Sequence, residues 1–257
     1  MHISYSSIKD AQDCSYRFKL KVKDGIKLYT PSIDTIFGTL MHTCIQDFLL
    51  KKRDTAQTKK YFHRAWKTFW KLYKKHLDEA KVKQFLRAGL NILDHMEAAF
   101  EGCEVLTVEE KLAMPIVPER PEIDFLGFID LVMFRKDQLV IVDLKTTGSA
   151  FMFTKYLDDT KRHQLTLYKA YYSKKHNIDL TDIDICFVVL EKAPTSKTPI
   201  VFVPDHAGVE RVEEAQTLVR KILHLYDHGP YPKNLLACHN EKTGITCPYY
   251  HTQHCVN

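Results

Sequence analysis

LGFIDLVMFRKDQLVIVDLKTT, residues 126–147, decides the fold. Two apolar runs of period two flank a polar pair, Lys136–Asp137, which predicts an antiparallel hairpin. The first run carries Asp130; the second ends in Asp143, Leu144 and Lys145. Counting outward from the turn places Asp130 opposite roughly Asp143. Like charges facing each other on a sheet are unfavourable unless a cation lies between them. A hard divalent ion, bound through oxygens and retained waters, resolves that conflict. A nearby lysine then holds and polarises a water for attack on a phosphate. The acid-x-Lys triplet alone says little, because Glu79–Lys81, Glu109–Lys111 and Asp159–Lys161 repeat it. Only at Asp143 does it end an apolar strand beside a second carboxylate.

Outward from the hairpin, EVLTVEEKLAMPI reads as a half-buried strand before it. After it come a helix over 156–175, a buried strand in DIDICFVVLEK and a short strand in PIVFVP. An amphipathic helix follows, GVERVEEAQTLVRKILHLYDHG, stopped by Gly229–Pro230. The first hundred residues read as helices: SYSSIKDAQDCSYRFKL capped by Ser6 or Ser7, TIFGTLMHTCIQDFLLKK, 57–77 and 79–100. The expected fold is α/β: a mixed central sheet flanked by helices, in one domain. Residues 1–103 form a helical N-terminal part, 104–229 the core and 230–257 a Cys-rich tail.

The 257 residues are 45% apolar and 27% charged, enough for a sizeable core. No apolar run is long enough to span a membrane. The opening MHISYSSIKD lacks the apolar stretch of a secretory signal, which favours a cytoplasmic protein. The formal charge of +5 concentrates in KKRDTAQTKK and KTFWKLYKKH. Such runs are ordinarily solvated helix faces, but with interleaved aromatics they also suit contact with a phosphate backbone.

GFID followed by IVDLKT resembles the PD-(D/E)XK nuclease superfamily, specifically its RecB-like exonuclease branch with a restriction-endonuclease-like core. FGTLMH resembles that branch's Gly-x-x-x-His helix, RHQLTLY its Gln-x-x-x-Tyr signature, and SYSSIKDAQDCSYRFKL its N-terminal Ser-x-Ser…Cys segment. The resemblance implies Asp130, Asp143, the Leu144 carbonyl and His42 as ligands of Mg²⁺ or Mn²⁺. It implies Lys145 as the residue that orients water, with Gln164 and Tyr168 on one helix face beside the site and DNA. Without the resemblance, His42 reads as a core histidine and the Gln164–Tyr168 face as ordinary packing. Glu109 and Glu110 are taken as structural.

Seven cysteines make a disulfide framework improbable. Cys44, Cys103 and Cys186 read as small core residues. Cys14 with Cys238, Cys247 and Cys255 resembles the iron–sulfur staple of some RecB-like nucleases, including those of CRISPR adaptation, and four thiolates suit a [4Fe–4S] cluster. Here the spacings are wide, and Tyr250 stands where a second Cys is expected. Zn²⁺ with His239, His251 and His254, or no metal at all, are the alternatives. The expected function is a metal-dependent DNA exonuclease acting on single strands or duplex ends and leaving 5′-phosphates. Its rivals are a non-catalytic nucleic-acid-binding module that keeps the fold, and an RNase.

Overall fold

The computed structural model describes residues 1–28, 32–74, 78–240 and 245–255. The hairpin forms as read: β3 (Asp124–Arg135) and β4 (Gln138–Thr147) meet at Lys136 and Asp137. Both turn residues have positive φ, 52° and 61°, the handedness that matches strand twist in a two-residue loop. β2 (Cys103–Pro115) runs antiparallel along one edge of β3. β5 (Ile183–Glu191) lies parallel to β4, and β6 (Ile200–Asp205) closes the sheet antiparallel to β5.

One strand was not legible in the sequence. β1 (His2–Ser4) pairs in parallel with Asp124–Leu126 of β3. The β4 ladder takes only Leu131–Arg135 of β3. Because β2 covers the opposite edge, β1 and β4 share this one, and residues 127–130 of β3 lie in the fork between them.

Two apolar layers fill the faces of the sheet. Phe125, Ile129, Ile141, Phe187 and Val189 pack with α1 (Tyr5–Asp13), α7 (Asp159–His176) and α8 (Val209–His228). Leu131, Met133, Val142, Leu144 and Val188 pack with α3 (Ile33–Leu49), α4 (Thr55–Tyr73) and α5 (Glu79–Ala99). Within the second layer Phe37, Phe62, Trp66 and Phe85 meet ring to ring. β3 changes parity as it passes Asp130: Ile129 serves the first layer and Leu131 the second.

Two expectations about helices are corrected. The first helix is not continuous and is capped by Ser4, with Ser7 as the reciprocal partner of its capping box. It breaks at Cys14, where the backbone is extended (φ −159°), before α2 (Ser15–Phe18) and a π-helical turn over Lys19–Lys23. The helix expected over 156–175 is α7, which starts at Asp159 because Asp158 caps it, and a short helix not read in the sequence, α6 (Ala150–Lys155), precedes it. Part of the helix read over 57–77 lies outside the described residues; α4 itself ends at Tyr73.

Gly127 lets α7 approach β3. A Cβ there would stand 2.7 Å from the Tyr168 ring and 3.2 Å from that of Phe125. Gly127→Ala should therefore lose about 1–3 kcal/mol of stability through overpacking, measured by denaturant titration. Unchanged stability would contradict this packing.

Candidate active site

Asp130 sits at the crotch of the fork. The β3–β4 ladder stops at Leu131–Val142, one residue short of an Asp130–Asp143 pair. In place of that pair, the Leu144 N–H donates to Asp130 Oδ2 at 2.7 Å. His42, on α3, brings Nδ1 to 3.4 Å from Asp130 Oδ1. Burial by itself would lower the His42 pKa, but the Asp130 carboxylate outweighs it and the net shift is upward.

Asp143 is 2% exposed. Burial pushes its pKa from 3.8 to about 6; Lys145 opposes the rise and Asp130 adds to it. Lys145 Nζ lies 2.7 Å from Asp143 Oδ2, yet this oxygen has no hydrogen-bond partner of good geometry. It is a buried carboxylate oxygen held only by an ion-pair contact. Lys145 Nζ also donates to Gln164 Oε1 at 3.0 Å, and Gln164 Nε2 to the Tyr168 hydroxyl at 3.1 Å. Asp143, Lys145, Gln164 and Tyr168 thus form one chain of contacts running from β4 to α7. Burial raises the Tyr168 phenol, so this hydroxyl stays protonated.

The PD-(D/E)XK nuclease superfamily matches residues 2–252. The chain belongs to that superfamily. A protein of Eubacterium rectale named "Putative exonuclease" has a similar structure, with a TM-score of 0.52 and 9% identity. The match covers 92% of this chain and 85% of that one, and shows the shared fold. The protein SSO0001 aligns with a TM-score of 0.34 at 12% identity, over 82% of this chain and 84% of its own. No curated protein matches the sequence.

Nucleases of this superfamily generally work with divalent ions such as Mg²⁺. Among the described residues no group of three or more His, Cys, Asp or Glu side chains is disposed to hold a metal ion. The Asp130 carboxylate is engaged by Leu144 and His42, and the Asp143 carboxylate by Lys145. The donor set still fits a hard cation: Asp130 and Asp143 lie close enough for the charge of one to act on the other, and one buried oxygen lacks a hydrogen bond.

Sequence reading missed Gln46, one turn after His42 on α3. It is 8% exposed, and its Nε2 donates both to Glu109 Oε1 (2.7 Å) and to the backbone carbonyl of Asp130 (3.1 Å). The β2–β3 ladder skips the Glu109–Asp130 pair, and Glu109 has φ +51°. A side-chain amide therefore takes the place of a ladder bond on this flank of Asp130. Glu110 is elsewhere, bonded to Lys175 and His176 at the end of α7. Glu109 holds Gln46 in place through Oε1, a role that depends on a partner 63 positions away.

Cys14, Cys238, Cys247 and Cys255 line one small cavity with Tyr16, Arg17 and Tyr249. Burial raises the Cys238 thiol, and the Cys247, Cys255 and Cys14 thiols add to the rise. The break after α1 puts Cys14 there, and the Asn234 N–H points at its sulfur at 3.4 Å. His251 and His254 do not line the cavity; the side chain of His239 lies outside the described residues.

The pKa of Asp143 sets a pH dependence. The folded chain binds this proton more tightly than the unfolded chain. The resulting stability is full below pH 4 and lost as pH rises through about 6. In chelator, Asp143→Asn should gain on the parent by roughly 1–3 kcal/mol between pH 4 and pH 8. Denaturant titrations at both values measure the difference; a gap that does not widen with pH contradicts the buried carboxylate.

Proposed function

We propose that this protein is a divalent-metal-dependent DNA exonuclease of the RecB-like branch, acting on single strands or duplex ends as one cytoplasmic nuclease domain. Among the described residues no helix is long and apolar enough to cross a membrane. The observation that carries the reading is the buried Asp143 opposite Asp130, tied through Lys145 to Gln164 and Tyr168. A pure binding module has no use for paired carboxylates beside an oriented lysine, which weighs against the non-catalytic alternative. An RNase differs only in substrate.

Asp130, Asp143, His42 and the Leu144 carbonyl would hold Mg²⁺ or Mn²⁺. The bound ion makes phosphorus more electrophilic and stabilises the leaving 3′-oxygen. Lys145 orients the attacking water, and Gln164 fixes the position of Nζ. Attack in line with the departing 3′-oxygen leaves a 5′-phosphate. Asp143→Ala should abolish cleavage of end-labelled DNA while DNA binding survives, since the loss of a carboxylate lessens repulsion of phosphate. Lys145→Ala should lower turnover by about 10² or more. Full activity in either variant would remove the site assignment.

The four-cysteine cavity supports a second part of the reading, a [4Fe–4S] cluster joining the chain ends. Four cysteines, from residue 14 to residue 255, line it, and thiolate sulfur suits iron and zinc alike. Protein purified without oxygen should be brown and carry iron and labile sulfide. Cys247→Ser should bleach it and lower the melting temperature together, because cluster binding is also folding energy. Colourless wild-type protein with stoichiometric zinc would replace the cofactor; colourless, metal-free protein would end the staple reading.

A further inference from the structure

Within the basic runs of the N-terminal part, five residues make an ordered stripe. Lys60, Arg64, Lys67, Lys71 and Lys74 are all exposed, and they follow one another at spacings of four, three, four and three. That period places them on one face of α4 and its C-cap, over about 21 Å of helix. Phe62, Trp66 and Phe69 bury the opposite face. α4 contains no Asp or Glu. Lys59 pairs with Asp94, but none of the five stripe residues has an acidic partner among the described residues.

A solvated surface helix normally interleaves its charges, because like charges one turn apart weaken the helix. This helix carries four successive cation–cation neighbours and no carboxylate of its own. An extended polyanion lying along the stripe would offset that repulsion. Lys67 borders a partly apolar groove with His63, Trp66, Trp70 and Glu79.

We infer that the α4 stripe is a track for the sugar-phosphate backbone of the DNA substrate, away from the scissile bond. The inference rests on the nuclease reading and adds to it a surface that sets how DNA is held. Phosphate contacts of this kind fix register and affinity without reading bases. Their signature is salt dependence, since each neutralised phosphate releases counterions.

The test uses full-length Asp143→Ala protein in chelator, with labelled 30-nucleotide single strands and 30-base-pair duplexes. Anisotropy titrations from 50 to 200 mM KCl give the slope of log K against log salt. Arg64→Ala/Lys67→Ala/Lys71→Ala should make the slope shallower by about 2–3 and weaken binding at least tenfold at the low-salt end. Its melting temperature should not fall, because repulsion has been removed. Arg64→Lys/Lys67→Arg/Lys71→Arg should keep the parent slope, which separates charge from fold. Lys197→Ala/Arg220→Ala/Lys221→Ala, elsewhere on the surface, should leave the slope unchanged. A triple-alanine variant with the parent's slope and affinity overturns the track and assigns the stripe to some other acidic partner, while the nuclease reading stands. If the parent binds no DNA and the wild type cleaves none, the nuclease reading fails first and the track falls with it.

Discussion

Asp130 is the point on which the structure turns. It lies where β3 loses a neighbour on both sides. Towards β4 the ladder ends, and the carboxylate itself caps the Leu144 N–H. Towards β2 the Glu109 pairing is missing, and Gln46 caps the carbonyl instead. A backbone group buried without a partner costs about 1–3 kcal/mol, so these substitute bonds are required. They hold open a fork in an otherwise continuous sheet. Asp143 faces that fork, buried, with Asp130 and Lys145 as its nearest charges. The arrangement stores repulsion between two carboxylates and relieves it only partly with one lysine.

The two layers deliver the remaining groups from opposite sides. α3 brings His42 and Gln46, one helical turn apart, to the flank of Asp130. α7 brings Gln164 and Tyr168, also one turn apart, to Lys145. Gly127, three residues before Asp130, leaves room for the Tyr168 ring. The motif glycine is thus explained by packing: it lets the helix that orients Lys145 settle on the strand that carries Asp130. The Cys-lined cavity lies at the far ends of the chain, where the break at Cys14 and the short hairpin of β7 (His239–Asn240) and β8 (Ile245–Thr246) meet.

The hairpin and its two acids were legible in the sequence because period-two runs and a two-residue polar turn fix register by counting. The helices at α3, α5 and α8 were legible for a similar reason, a sustained period of 3.6. β1 was not: three residues, His2–Ser4, are too few for any period, and their strand exists only through pairing with Asp124–Leu126. The fork that β1 and β4 create was hidden with it. The break at Cys14 was hidden because apolar spacing continues across it, and α6 was hidden because its six residues are too few for a helical period. Gln46 reads as one more polar helix residue, and its role depends on a partner 84 positions away. Local periodicity therefore locates the carboxylates, but long-range pairing makes them a site.

The central claim is that the fork between Asp130 and Asp143 is built for a divalent cation. Anomalous diffraction from a crystal soaked in Mn²⁺ tests it most directly. The account predicts a manganese peak in the fork beside Asp130 and Asp143, absent from an Asp143→Asn crystal treated identically. A saturated crystal with no peak in the fork, or with the ion bound elsewhere and both carboxylates still closed on Leu144 and Lys145, would contradict it.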